Sequence, residues 1–354
     1  MNWPMTKLTL RRALAAVCHR SGFNAFLRRH SSPSWRILTY HRITTPADQK
    51  FPLQPGMYVQ PQTFAAQMKY LKSNANVISL EDLLRHLLSG APLPDRAVVI
   101  TFDDGWLDNY TSAFPVLREL QLPATIFLAT EFIGTNELFW TDRISQSISA
   151  LSRAEQYREQ ILGRLWGAHR PPANIRTWVE NAISLGHLEL DILDNIISEM
   201  KSLPPEHRRL IVEDLRNLTK EFTNTKNDRL FADWTEIITM SEHGITFGSH
   251  SHHHQPMSEL TAVQLRDDLA ESYQAFRDHN LKAISSFCYP GGYWNQESQS
   301  ALHAHGVSNA LLASRRSDLK AAPVLLGRIH LHEDICSSTP LFTSCVWGPS
   351  VFSG

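Results

Sequence analysis

Residues 97–105 read Ala-Val-Val-Ile-Thr-Phe-Asp-Asp-Gly. The first four are apolar and mostly β-branched. A short run of that kind, closed by a turn signal, reads as a strand buried on both faces of a parallel sheet. Two adjacent carboxylates, Asp103 and Asp104, stand where that strand should end, and Gly105 follows. Neighbouring side chains on a strand point to opposite faces, so one core cannot take both. Either the chain turns here and the pair is solvated, or at least one carboxylate has a partner that offsets desolvation, such as a cation.

Outward from this stretch, strand and helix patterns alternate. Residues 35–43 read as a strand that carries His41 at its end. Residues 61–72 read as a helix with Phe64, Met68 and Leu71 on one face, 77–79 as a short strand and 80–88 as a helix. Residues 108–120 read as one helix, with Pro115 in its first turn or at a kink, and 124–128 as a strand. The alternation predicts parallel βα units. From about 140 to 230 strand signals stop and amphipathic helical stretches take over, which predicts a helical insertion. The βα pattern then resumes. Strands are expected at 245–250, 286–290, 309–312 and 325–331, with helices at 234–238, 261–279 and 297–305. The expected division is a basic helix and linker at 1–34, an α/β domain at 35–139 and 231–340, the insertion at 140–230, and a packed tail at 341–354.

Composition narrows the class. The 354 residues are 42% hydrophobic and 19% charged, with a net charge of -1. That balance carries no nucleic-acid footprint. Cys18, Cys288, Cys336 and Cys345 form no CxxC pair, so neither a zinc-thiolate site nor a disulfide framework is indicated. No apolar run approaches the ~18 residues of a membrane-spanning helix. At the N-terminus Lys7, Arg11 and Arg12 precede a short apolar stretch, 13–18, and His19, Arg20, Arg28 and Arg29 follow it. The stretch is shorter than the ~7–15 residues of a secretory apolar region. It reads as a basic amphipathic helix that either packs on the domain or touches anionic lipid. The expected location is the cytoplasm, peripheral at the inner membrane face in the second case.

The second signal is Gly-Ser-His-Ser-His-His-His at 248–254. If the chain turns helical after the strand, His250 and His254 share one face, about 6 Å apart. Two imidazoles and a carboxylate form a common ligand set for zinc and related ions. A solvated loop or an incidental His tract is the alternative. Taken together the signals are more specific: one strand ends in Asp-Asp and another in His-x-x-x-His. An ion held by two His and one Asp keeps open positions, the layout of a catalytic site, and the second Asp is left for proton transfer.

The pairing of Thr-Phe-Asp-Asp-Gly (101–105) with His-Ser-His-His-His (250–254) resembles the polysaccharide deacetylases of carbohydrate esterase family 4, the NodB homology group. The resemblance spans about 35–334 without the insertion. It implies an α/β fold, a distorted (β/α)7-type barrel, and a divalent metal, zinc foremost, with cobalt, nickel or manganese as alternatives. It implies Asp103 as general base and Asp104, His250 and His254 as metal ligands, with His252 and His253 at variable positions. Two departures stand out. The family's Arg before a Pro, which braces the catalytic Asp, is absent from Phe-Cys-Tyr-Pro-Gly-Gly (287–292); Arg328, on another strand, is the candidate substitute. The family's late Leu-x-His acid finds only His330 and His332, matched by type. Leu-Thr-Tyr-His at 38–41 instead resembles the circularly permuted branch, which includes enzymes acting on poly-N-acetylglucosamine, and this implies His41 as the acid.

The implied reaction is acetamide hydrolysis. Asp103 would take the proton of the attacking water. A backbone N–H of the turn at 289–292 would help hold the oxyanion, and His41 would protonate the departing amine. Tyr289, Gly291, Tyr293 and Trp294 are candidate substrate contacts, because aromatic rings after a Gly-Gly turn suit sugar stacking; ordinary packing is the alternative. Trp106, Tyr110 and Trp140 are the other aromatic residues near the motifs. The expected partner is an N-acetylated glycan or a glycolipid precursor. Two other readings stand beside this one: an inactive carbohydrate-binding relative, favoured by the missing Arg, and a metal amidohydrolase acting on a non-sugar amide or imide.

Overall fold

The computed structural model describes residues 5–23, 26, 35–166, 169–223 and 228–348. Its sheet contains β1 (Trp35–Tyr40), β2 (Ala97–Phe102), β3 (Ala124–Leu128), β4 (Ile245–Ser249), β5 (Ala283–Cys288), β6 (Asn309–Leu311), β7 (Val324–Leu326) and β8 (Ile329–His330). The spatial order is β7-β6-β5-β4-β3-β2-β1-β8, and every pairing is parallel. A ninth strand, Asn76–Val77, pairs with the start of β2. The two ends of the order, β7 and β8, are consecutive in the chain and separated by Gly327 and Arg328. They act as one broken stave, whose first half pairs with β6 and whose second half pairs with β1. Counted that way the sheet has the seven staves that the (β/α)7-type reading implies.

Parity along the strands sorts the side chains. Leu38, Tyr40, Val98, Ile100 and Phe102 belong to the cluster that also takes in helix residues Phe64, Met68 and Leu117. Trp35, Ile37, Ala97 and Val99 alternate with them and meet Phe127, Cys288, Leu311 and Leu326 from the other staves. The second set is the barrel interior. Thr39 and Thr101 continue it one layer up, with their hydroxyls 3.2 Å apart. His41 and Asp103 are the next residues of that parity.

Local signals explain most helix boundaries. Ser79 caps the helix Leu80–Ser89 by accepting from the Asp82 amide, and Gly90 ends it at φ 70°. Thr261 and Gln264 form a capping box on the helix Ala262–Asp278. The single helix expected at 108–120 is instead a π-helical turn, Asn109–Ala113, followed by an α-helix, Phe114–Glu119. Pro115 has no N–H to offer the residue four positions earlier, and the chain widens there.

The chain divides into two compact units. The sheet lies in the unit formed by the described residues of 5–44, 58–135 and 229–348. The helix Met5–Arg20 belongs to it: Ala15 and Cys18 are buried with Leu341 of the helix Thr339–Trp347. The other unit holds the described residues of 45–57 and 136–228. It is built on helices Trp140–Arg153, Arg158–Arg164, Ala173–Leu185, Leu190–Lys201 and Pro205–Phe222, around a core that includes Ile144, Val179, Ile196 and Leu215. The loop at 45–57 joins these helices, with the Ser145 hydroxyl donating to the Pro52 carbonyl at 2.6 Å. Among the described residues no helix is long and apolar enough to cross a membrane, and the four cysteines are buried and form no disulfide.

Candidate metal centre and active site

Parallel register brings the motif residues to one rim. Tyr40 is level with Phe102, Leu128 with Ser249 and Thr39 with His330. The residues that follow these pairs are bonded across: the Asp103 amide donates to the Tyr40 carbonyl at 3.0 Å, and the His250 amide to the Leu128 carbonyl at 2.9 Å. His41, Asp103 and His250 therefore leave the sheet together at its C-terminal edge, where parallel barrels carry their sites.

The two aspartates part at this edge. Asp103 keeps the inward parity of β2. Asp104 lies at φ 79°, a left-handed conformation that costs a β-carbon-bearing residue energy, and Gly105 follows at φ 85°. A methyl group on Gly105 would come within 2.8 Å of Leu128 and 2.9 Å of Ile133, so only glycine fits. Both carboxylates are buried, Asp103 2% and Asp104 1% exposed. Each must therefore be partnered.

Arg328 partners Asp103. Its Nη1 donates to Oδ1 at 2.7 Å and its Nη2 to Oδ2 at 2.8 Å, a two-point pair. Arg328 stands on the step between β7 and β8, and its Nε donates to the Leu312 carbonyl. Cys288 stands in the 287–292 stretch that lacks the family's Arg, and its Sγ lies 3.1 Å from Arg328 Nη2. Burial alone would raise the Asp103 carboxyl, but Arg328 beside it, then His250 and His41, hold it well below the usual carboxylate range. Asp103 is ionised.

Asp104 faces the histidines. Its Oδ1 lies 3.3 Å from His250 Nε2 and 3.2 Å from His254 Nε2. The helical turn expected to align the two imidazoles is absent. Residues 250–256 form a bend with Ser251 at φ 67° and His254 at φ 54°, and the Ser251 hydroxyl accepts from the His254 amide at 2.9 Å. The bend does what a helical turn would have done and leaves the ring centroids 5.1 Å apart. His250 Nδ1 lies 2.7 Å from the Cys288 carbonyl. A carbonyl only accepts, so Nδ1 carries the hydrogen, and Nε2 is the nitrogen that would face an ion beside Asp104.

These donors fit a divalent ion. A tetrahedron with bonds of about 2.0–2.1 Å has edges of about 3.3–3.4 Å, close to the 3.3 and 3.2 Å observed. A charged imidazole–carboxylate hydrogen bond would close to about 2.7–2.9 Å. A second group, Asp103, His250 and Cys288, also lies within reach of one ion. It fits less well: both Asp103 oxygens are taken by Arg328, and burial pushes the Cys288 thiol up, away from the thiolate a metal needs.

Trp106, noted in the sequence only as an aromatic residue near the motifs, takes a specific place in the site. It is buried, and its indole Nε1 donates to Asp104 Oδ2 at 2.7 Å, leaving Oδ1 for the ligand cluster. Phe231 stacks on it at 4.4 Å and the Arg42 guanidinium sits 4.4 Å from its ring centroid. Nothing in the spacing two residues past the Asp pair announces this bond. Trp106→Phe keeps the ring and removes the donor. It is expected to weaken zinc affinity at the Asp104, His250 and His254 cluster by about 10–100-fold, read by competition with a chromophoric chelator.

The remaining predicted residues separate. His41 Nε2 lies 3.8 Å from Asp103 Oδ2. His330 is next to it, with ring centroids 5.5 Å apart. Burial, then His41 and Arg328, push the His330 imidazole down to about 3, so it is neutral near pH 7. His332 bonds to Asp334 at 3.1 Å. Tyr289, predicted as a substrate contact, is 1% exposed and packs on Phe287; its side chain belongs to the core. Tyr293 and Trp294 are 45% and 39% exposed. Gly291 and Gly292 turn at φ 61° and 74°, and a methyl group on Gly292 would lie 2.4 Å from the Ala313 β-carbon.

The family model for polysaccharide deacetylase matches residues 90–186 and 216–310, more than half of the chain. A poly-beta-1,6-N-acetyl-D-glucosamine N-deacetylase of Escherichia coli (strain K12) is 35% identical over 89 residues, 25% of this chain and 12% of that protein. The protein of the same name from Staphylococcus epidermidis is 35% identical over 107 residues, 28% of this chain and 37% of that one. The chain thus matches well under half the length of these relatives. Among solved structures, the Streptococcus pyogenes deacetylase PplD in complex with acetate superposes with a TM-score of 0.53 at 14% identity, covering 89% of this chain and 98% of that one. IcaB from Ammonifex degensii gives 0.51 at 16%, covering 88% and 97%. These two share the fold. The chain belongs to the polysaccharide deacetylase family.

Proposed function

We propose that this protein is a metal-dependent N-deacetylase acting on an N-acetylated amino-sugar polymer, with β-1,6-linked N-acetylglucosamine, named for its relatives, as the first substrate to test. The observation that carries this reading is the division of the aspartate pair: Asp103 is paired with Arg328, and Asp104 converges with two imidazoles.

Asp104, His250 and His254 would hold the ion, zinc by donor type. When bound, a divalent ion acidifies water and polarises the acetamide carbonyl. Asp103 takes the proton of the attacking water, and Arg328 keeps its carboxylate in place and ionised. In the turn after β5, the amides of Tyr289, Gly292 and Tyr293 donate to the carbonyls of Leu311, Tyr289 and Pro290. The Gly291 amide is the one we assign to the developing oxyanion. His41, beside Asp103, protonates the departing nitrogen; an amide anion is too poor a leaving group to go without it. Tyr293 and Trp294 offer exposed ring faces to a sugar.

Arg328 weakens the case for an inactive relative, because the brace missing from the family position is supplied from another stave. The test is acetate release from short β-1,6-linked N-acetylglucosamine oligomers. Release that a chelator abolishes and zinc restores is expected. No release from any acetylated sugar, together with turnover of cyclic imides, would replace this reading with the imide hydrolase. His41→Gln is expected to lower kcat on acetamide by about 10²–10⁴-fold and to spare an aryl acetate, whose phenolate leaves without a proton. Equal losses on both substrates would remove His41 from the acid role.

A further inference from the structure

The bend that presents His250 and His254 carries two more histidines, His252 and His253, that take no part in the inner cluster. They face the helix Ala262–Asp278. His253 Nδ1 lies 2.9 Å from Asp268 Oδ2. Asp268 is 4% exposed and also accepts the amides of His252 at 2.9 Å and His253 at 3.0 Å. A carboxylate only accepts, so His253 Nδ1 carries the hydrogen, and in the neutral ring that a metal binds Nε2 offers its lone pair. His252 Nδ1 lies 2.8 Å from the Thr130 hydroxyl, which can accept in the same way.

Both free ring nitrogens then face one acid. Glu271 Oε2 lies 4.0 Å from His252 Nε2 and 3.8 Å from His253 Nε2. These separations are too long for hydrogen bonds. They exceed the ~3.3 Å edge of a tetrahedral zinc site, but the three donor atoms lie within 4.8 Å of one another, so an ion would draw the half-exposed Glu271 carboxylate inward. The imidazoles lie at 89° to each other, so they approach the gap from different directions. A buried carboxylate behind a metal-facing imidazole is the usual support of a histidine ligand. A solvated histidine pair would require neither the buried Asp268 nor the convergence on Glu271.

The geometry points to a second, outer divalent-cation site formed by His252 Nε2, His253 Nε2 and the Glu271 carboxylate. Two imidazoles and one carboxylate select zinc, cobalt, nickel or copper over magnesium and calcium. The site shares no ligand with the inner cluster. An ion there ties the bend to the helix Ala262–Asp278, and His252 and His253 lie between the two inner ligands in sequence. The outer ion therefore braces the strained loop that presents His250 and His254. This inference does not rest on the proposed reaction.

The experiment is calorimetric titration of the chelator-stripped full chain with zinc. Two binding events are expected, a tight one and a weaker one. Glu271→Gln, at a half-exposed surface position, and independently His252→Gln, are each expected to weaken the second event by at least about tenfold and to leave the first in place. Neither variant alters the inner cluster. A single event in the unaltered chain would overturn the proposal, as would a second event insensitive to both substitutions.

Discussion

Asp103→Asn is expected to lower kcat for acetate release by about 10²–10⁴-fold, the span of a general base, while zinc still binds the inner site. The amide is nearly isosteric with the carboxylate, and Asp104, His250 and His254 are untouched. The oxygen of the new amide can still accept from Arg328, but the side chain cannot take a proton from water. The substitution also leaves the Arg328 charge buried without its counter-ion, so the variant should be less stable. Folding must be checked by circular dichroism before the rate is read. A variant that is folded, zinc-loaded and fully active would remove Asp103 from the base role.

Arg328→Met is expected to have the largest effect on stability, about 3–5 kcal/mol lost at pH 7, because it leaves a buried carboxylate unpaired. The pH dependence separates this from ordinary packing loss. In the unaltered protein Arg328 holds the Asp103 carboxyl below its unfolded value. Its contribution is therefore complete above the unfolded pKa of about 3.9 and fades as pH falls below that. In the variant, burial dominates and raises the carboxyl. The variant then loses stability as pH climbs from about 3.9 through the raised value. The deficit should be small near pH 3 and widen toward pH 7. Urea midpoints at several pH values, with metal conditions held fixed, measure it. A deficit independent of pH would mean that Arg328 acts through packing alone.

How legible the site was depends on where each contact originates. Asp103, Asp104, His250 and His254 lie in two short runs at strand ends, and parallel register does the rest, so local sequence sufficed to nominate them. The fold was legible for the same reason: β-branched runs alternating with amphipathic helices leave few arrangements. Arg328 could be named only as a substitute. Its reach to Asp103 depends on the break between β7 and β8, a property of barrel closure that no window of sequence contains. The helical turn expected after β4 was wrong in form. Ser251 and His254 adopt left-handed conformations that their residue types do not announce. Trp106 was legible only as an aromatic residue near the motifs; nothing local announces that its buried indole N–H holds the outer oxygen of Asp104. The Tyr289 side chain is placed by packing with Phe287 and with Leu265, Leu269 and Leu302 of its cluster, which the Gly-Gly turn conceals.

The family match at 90–186 and 216–310 leaves out both His41 and Arg328. These are the two residues to which acid catalysis and the bracing of the base are assigned. They are contributed by the first and last staves, which meet where β8 pairs with β1. Closing the barrel therefore completes the site.

The most direct test is the anomalous diffraction of a zinc-loaded crystal. The expected result is an inner ion bound by Asp104 Oδ1, His250 Nε2 and His254 Nε2 at about 2.0–2.2 Å, with Asp103 uncoordinated and still paired with Arg328. An ion held by Asp103 and Cys288, with Asp104 outside its shell, would contradict it.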